Sequence, residues 1–467
     1  MARSTEVEEW KNNPAGMLEV YQRQPYKMGH SIADLVDNSY DAGAKRVEVD
    51  IDRDPDTDEM FIRVFDDGKG IPENKWKDAM MLGLQRTRKK SDLGVYGVGL
   101  KLSSLSQANE VTVASVHKGK FGQRRISAGH IKETGRNELL LTDTGSAAFN
   151  DSRGRMIEEE WSTMVLLEDI HTERYFATLD MERNAALEKE VNRIRCHLGL
   201  TFERAIRSKL LGGTVLKFQG REVAPIDPFM RWEEHARFGT IVEPTFTVNA
   251  NIEGKKIPVR VTPAIIPHRK QRRDQKRCAG VEKGYRRAND MQGLYIYRND
   301  RLIQYGGWNG MYGDMLEPHK TLGKVSVDIP PGYEAEFGLS PTKTDIRLPM
   351  EFAKQLLDRL SEPKQWGQIK KGSKSKLTFR EAFEHRYKTE GKPAKLKESK
   401  KPGKPAKDDT KESASRFDPS KTTRKKPVKP KPVVRDISKD GPDTVVVIDN
   451  DAEGSSELMR EIRRWKI

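Results

Sequence analysis

The chain of 467 residues carries 85 Lys and Arg against 70 Asp and Glu, a net charge of +15, with 35% hydrophobic residues and two cysteines. That length suits two or three domains, and so low an apolar share leaves part of the chain without a packed core. Cys196 and Cys278 belong to no CxxC pair or Cys/His cluster, which argues against a disulfide framework or a structural zinc site. No apolar run approaches the ~18 residues of a membrane-crossing helix, and Met1 to Val7 leads into charged sequence rather than a signal-peptide core. The expectation is an intracellular protein in a reducing compartment with no membrane association, in cytoplasm or nucleoid, or in the nucleus of a eukaryote.

In chain order, the first predicted element is a helix over Lys27 to Ala42. Ile32, Leu35, Val36, Ser39 and Tyr40 recur at three- and four-residue spacing as its buried stripe, and Gly43 ends it. Two strands of alternating pattern follow, Val47/Val49/Ile51 and Met60/Ile62/Val64, joined by the polar loop Arg53 to Glu59. A short helix is expected from Leu100 to Ala108. A second α/β unit is expected to start near Trp161, with a strand at STMVLLEDI and a long helix from about Met181 to Lys209. Its further strands are placed at Gly213–Phe218, Phe246–Ile252, Ile257–Thr262, Gly293–Arg298 and Lys324–Ile329, and a last helix over Met350 to Leu360. From Lys388 to Arg435 there are 17 Lys/Arg against 6 Asp/Glu and one aromatic residue, Phe417. Such a Lys/Pro/Ser/Ala-rich stretch cannot bury enough apolar surface to offset chain entropy and reads as a disordered basic arm. Beyond it, Thr444 to Ile448 (TVVVI) is either a strand that adds to a protein partner or an unstructured end, and Leu458 to Ile467 suits a short amphipathic helix.

Three short segments carry chemistry. On the polar face of the first helix, Asp34, Asn38 and Asp41 stand at i, i+4 and i+7. An amide one turn from a carboxylate suits a metal-bound triphosphate, because the amide oxygen can ligate Mg²⁺ and the carboxylate can deprotonate a water. Alone, such a face is usually a solvated one. The second segment, Asp66-Asp67-Gly68-Lys69-Gly70, ends a strand, where an aspartate can accept a purine's exocyclic amine and glycines let the backbone close on the ring. Third, Gly94-Val95-Tyr96-Gly97-Val98-Gly99-Leu100-Lys101 opens a helix and can cradle phosphates on backbone N–H groups. It departs from both the Walker P-loop and the Rossmann turn. Gly83 to Leu93 before it, polar and basic, suits a mobile lid or a plain surface loop.

The succession ADLVDNSYDAGA, DDGKG and GVYGVGLK resembles the three nucleotide-binding boxes of the GHKL ATPases. GLYIYRNDRLI and STMVLLEDI further resemble the ATPase module of the MORC family. The resemblance covers about Gly29 to Leu360. It implies an α/β fold of the α+β sandwich kind: a Bergerat-type ATP-binding domain followed by a βαβ transducer domain and the basic tail. The expected divisions are an N-terminal strap at 1–28, the ATPase domain at 29–158, the transducer at 159–363, a helical connector at 364–387, the basic arm at 388–442 and a strand/helix segment at 443–467. Carried over by position, Asn38 would ligate Mg²⁺, Asp66 would hydrogen-bond adenine with Thr163 in support, and Gly68 and Gly70 would shape the base pocket. Gly94, Gly97, Gly99 and Lys101 would hold the phosphates. Relatives place a glutamate base where this chain has Asp34, one methylene shorter. Since a misplacement of about 1 Å can cost ~100-fold in rate, slow turnover is expected. LSPTKTDI resembles the transducer loop whose lysine senses the γ-phosphate, which makes Lys343 that sensor.

His268 to Arg277 concentrates Arg269, Lys270, Arg272, Arg273, Lys276 and Arg277, and the basic arm adds Lys425 and Lys426 among others. Neither run interleaves aromatic residues, so contact with duplex phosphates without sequence preference is expected rather than single-strand stacking. The combined expectation is an ATP- and Mg²⁺-dependent clamp that dimerises on ATP binding and holds duplex DNA. Two alternatives stay open: a nucleotide-binding pseudo-ATPase that scaffolds compacted DNA, and a MutL- or chaperone-like ATPase acting on protein partners.

Overall fold

The computed structural model describes residues 13–54, 56–81, 92–93, 99–142, 144–175, 180–208, 213–233, 239–273, 288–313, 315–339, 346, 348–366 and 376–391. All of them fall in one compact unit, residues 1–395; the second unit, 396–467, lies outside the described residues. The elements of the first part are α1 (Pro14–Gln22), α2 (Met28–Asp41), β1 (Arg46–Arg53), β2 (Met60–Asp66), α3 (Trp76–Met80), α4 (Gly99–Leu105), β3 (Ala108–His117), β4 (Lys120–Ser127), α5 (Ala128–Thr134), α6 (Ala147–Glu158), β5 (Thr163–Ile170), α7 (Asp180–Thr201), α8 (Glu203–Ser208), β6 (Val215–Phe218) and β7 (Arg221–Glu222). Their strands form one seven-stranded sheet in the order β4-β3-β5-β2-β1-β6-β7. β1 runs parallel to β6, and its hairpin partner β2 is antiparallel, with Val49 opposite Val64.

Alternation along β2 decides the layers. Ile62 and Val64 pack with Ile32 and Val36 of α2, Leu105 of α4, and Leu198 and Phe202 of the α7–α8 segment. Phe61 and Phe65 point to the other face, against Phe149 and Met156 of α6 and Trp161. Every residue of β2 is therefore buried, and the two-residue period of a strand places its last side chain, Asp66, inside the protein rather than at a solvated edge.

The second part holds β8 (Ile241–Val242), β9 (Phe246–Ile252), β10 (Lys255–Ile265), β11 (Gly293–Arg298), β12 (Arg301–Tyr305), β13 (Gly323–Asp328), α9 (Met350–Ser361) and α10 (Phe379–Glu390). The sheet order is β12-β11-β13-β10-β8, and β9 pairs with β10. α9 covers one face with Phe352, Leu356 and Leu360, joined by Phe379 and Phe383 of α10.

Two expected boundaries move. The strand expected to open the second unit, Thr163–Ile170, lies within the first sheet between β3 and β2, and the first core runs on to Leu216, Phe218 and Val223. The division at 158/159 would cut a sheet, because backbone pairing, not sequence order, assigns a strand to its sheet. The segment 364–387 is likewise no mere connector: Trp366, Leu377, Phe379 and Phe383 are part of the second core. The long helix expected over Met181 to Lys209 is two, α7 and α8. Leu198 and Phe202 pack in the first core, while Leu200 packs with Tyr295 and Tyr297 of β11. The guanidinium of Arg204 on α8 lies 3.4 Å from the centroid of the Tyr297 ring. This segment joins the two lobes.

Candidate nucleotide-binding site

Asp66 ends β2 with a side chain only 7% exposed. Its Oδ1 accepts the Gly68 N–H at 2.9 Å and its Oδ2 the Ser39 hydroxyl of α2 at 3.1 Å. Thr163 stands opposite it on β5. Burial outweighs these donors and pushes the carboxyl up to about 6. Each carboxylate oxygen has two lone pairs, so Asp66 keeps acceptor capacity for one further donor such as an exocyclic amine. The loop past it is built for close approach. Gly70 has φ +65°, and a Cβ there would stand 2.2 Å from the Val116 carbonyl oxygen; a Cβ at Gly68 would meet the Ala42 Cβ at 2.8 Å. Ser115 accepts the Ile71 N–H at 2.9 Å and lies 3.3 Å from the Thr163 hydroxyl. Ser39, Asp66, Gly68, Gly70, Ser115 and Thr163 thus form a buried polar floor.

On α2 the polar residues separate. Asn38 is exposed, and its Nδ2 donates to the Asp34 carbonyl at 3.0 Å. Asp41 accepts the Leu93 N–H at 2.7 Å. Asp34 does not share that solvated face: it is 2% exposed. The phenolic hydroxyl of Tyr26, just before α2, donates to its Oδ2, and Nη2 of Arg301 on β12 donates to its Oδ1 at 2.9 Å. Nε of the same guanidinium donates to Asp37 Oδ1 at 2.8 Å. Burial opposes the Arg301 charge, yet Asp37 and Asp34 together raise its pKa, so the cation is held between two carboxylates. Tyr26 moves the same way, first through burial and then through Asp34. Neither Arg301 nor Tyr26 is legible as a site residue from spacing. The Asn299-Asp300 turn, both residues at positive φ, was the available signal for a hairpin that returns Arg301 toward α2.

Gly99 opens α4, and Lys101 two residues on is buried, its ammonium donating to the Ala79 carbonyl of α3 at 2.9 Å. Ser31 on α2 donates to the Ser103 carbonyl at 2.8 Å and fixes α4 against α2. Gly94, Gly97, Lys343, Lys276, Arg277, Lys425 and Lys426 lie outside the described residues, as does the TVVVI segment. Next to Lys343, the Ile346 N–H donates to Gln304 of β12 at 2.6 Å. Of the basic run, Arg269, Lys270 and Arg273 are exposed, whereas Arg272 is buried with Nε on the Pro267 carbonyl. The second lobe also grips the chain beside the expected lid: Arg298 Nη1 donates to the Asp92 carbonyl at 2.7 Å.

A hydrated Mg²⁺ needs few protein ligands when it rides on phosphates. Exposed Asn38 carries an amide oxygen, a donor of the type that role takes, and no group of three or more His, Cys, Asp or Glu that could hold a metal occurs among the described residues. No helix among them is long and apolar enough to cross a membrane.

The first sheet is floored by a buried aspartate, with an asparagine-bearing helix beside it. Residues 26–155 match the family of histidine kinase-, DNA gyrase B- and HSP90-like ATPases, and this part of the chain is a GHKL-type ATPase module. Over 121 residues, 24% of the chain, it is 30% identical to Protein MICRORCHIDIA 4 of Arabidopsis thaliana. The match spans 15% of that protein's length, a distant likeness to the MORC proteins within the GHKL class.

Proposed function

We propose that the chain is a Mg²⁺-dependent ATPase that dimerises on ATP binding, encloses duplex DNA and reopens on hydrolysis. The observation that carries the nucleotide reading is the buried carboxylate of Asp66, which keeps an acceptor site beside a loop that Gly68 and Gly70 let pack closely on Ala42 and Val116. Asn38 would ligate the metal, whose charge offsets that of the phosphates. Gly94, Gly97, Gly99 and Lys101 would bind the phosphates, Lys101 after leaving the Ala79 carbonyl. Asp34 would take a proton from a water whose oxygen bonds to the γ-phosphorus as the bond to the β–γ bridging oxygen breaks, leaving ADP and phosphate. Lys343 would supply charge to the γ-phosphate from the second lobe. Exposed Arg269, Lys270 and Arg273, together with Lys276, Arg277, Lys425 and Lys426, would meet DNA phosphates; Arg272, being buried, would support that loop.

Steady-state ATP hydrolysis with and without duplex DNA, blanked by Asn38→Ala, tests the reading. Light scattering with a non-hydrolysable ATP analogue tests dimerisation. DNA-stimulated turnover above the blank and an analogue-dependent dimer are expected; a monomer under both conditions refutes the clamp. A second reading, a nucleotide-binding scaffold without turnover, is favoured by one observation: both carboxylate oxygens of Asp34 are engaged inside the protein. Turnover no greater than the blank, with analogue binding intact, would select it.

A further inference from the structure

We infer that Arg301 is a positioning residue of the ATPase reaction, acting through Asp34 from the second lobe. The inference rests on the reading of Asp34 as base and adds the group that aims it. A general base works only if its lone pair is held toward the water, and the aspartate at this position is one methylene shorter than a glutamate, so its reach depends on where its helix and carboxyl group are pinned. Two pins exist. Tyr26, at the end of the N-terminal segment, binds Oδ2, and Arg301 binds Oδ1. The fork of Arg301 reaches Asp37 as well, one turn along α2, which fixes rotation of the helix in addition to the carboxyl group. An arginine suits this geometry because its donors are rigidly splayed, whereas a lysine offers one compact head.

The origin of Arg301 gives the contact its meaning. It lies on β12, and Gln304 of that five-residue strand accepts the N–H of Ile346, three residues after Lys343 in sequence. Arg298, on the other arm of the hairpin, donates to the Asp92 carbonyl. One hairpin therefore touches Asp34, the Asp92 carbonyl and the Ile346 N–H. Movement of that hairpin changes the aim of Asp34 without any contact between Arg301 and the nucleotide.

The test compares the full chain with Arg301→Gln and Arg301→Lys. It measures kcat and KM for ATP, binding of a fluorescent non-hydrolysable ATP analogue, and thermal unfolding. Arg301→Gln is expected to lower kcat by about 10- to 100-fold, as for a mis-aimed base, while KM and analogue affinity change less than about threefold. Arg301→Lys is expected to fall between. Where Arg301→Gln does not fold, Tyr26→Phe removes the other pin and is expected to lower kcat at unchanged KM. Unchanged kcat overturns the inference, as does a rise in kcat, which would make the contact a restraint. So does a joint loss of kcat, analogue affinity and melting temperature. Wild-type chain that binds the analogue but turns over no faster than Asn38→Ala also overturns it. Wild-type chain that binds no analogue refutes instead the nucleotide reading on which it rests.

Discussion

Asp66→Asn is expected to stabilise the free protein above about pH 7 while weakening ATP binding. The carboxyl is pushed up to about 6 by burial, against roughly 3.9 for an unfolded aspartate. Because the folded value is the higher one, the folded state takes up the proton first as the pH falls. Above about pH 6 the group is ionised in both states, and holding that charge inside costs folding about 3 kcal/mol, two pH units at about 1.4 kcal/mol each. The cost shrinks as the pH falls through 6 and is gone below about pH 4. An asparagine of the same shape keeps an oxygen for the Gly68 N–H, and the Ser39 hydroxyl can turn to accept from its amide. The variant should therefore gain up to about 3 kcal/mol near pH 8, or about 6–12 °C in the melting of a lobe of this size, and almost nothing near pH 4. Its amide donor would face the exocyclic amine of adenine, so ATP affinity should drop about 10- to 100-fold. Chemical unfolding of both proteins across that pH range, with analogue binding near neutrality, reads both effects. A variant less stable than wild type near pH 8, or a difference that does not shrink on acidification, refutes the reasoning.

Gly70→Ala should cost about 2–4 kcal/mol in thermal unfolding and abolish analogue binding, because φ is +65° and the new Cβ would lie 2.2 Å from the Val116 carbonyl. Asp34→Glu places an extra methylene between Tyr26 and Arg301 and is expected to lower stability by about 1–3 kcal/mol; denaturant unfolding with no loss would mean the junction is slack. Thr378→Ala breaks the capping box in which Thr378 and Glu381 exchange hydrogen bonds at the start of α10. It should cost about 1 kcal/mol, read as a lower unfolding midpoint with ATP affinity unchanged.

Helical period, strand alternation and glycine punctuation are local, and what depends on them was legible. α2 runs from Met28 to Asp41 where the stripe from Ile32 to Tyr40 placed it, and the β1–β2 hairpin carries Asp66 at its inner end. The glycines after Asp66 follow from the same local logic, since a strand that ends inside the protein needs a tight backbone to leave it. Local pattern also names the strand from Thr163 to Ile170, but β-branched residues specify an extended backbone and not the neighbour it pairs with, so the sheet to which it belongs was decided only by the fold. The fate of Asp34 is the sharpest case. On a helical wheel it stands with Asn38 and reads as solvated, because burying a charge is too costly without a partner. Its partner lies 267 residues further along the chain, on a strand that spacing did not reveal. Tertiary structure brings Arg301 there, and that guanidinium makes a buried carboxylate affordable on a face that the sequence alone assigns to water.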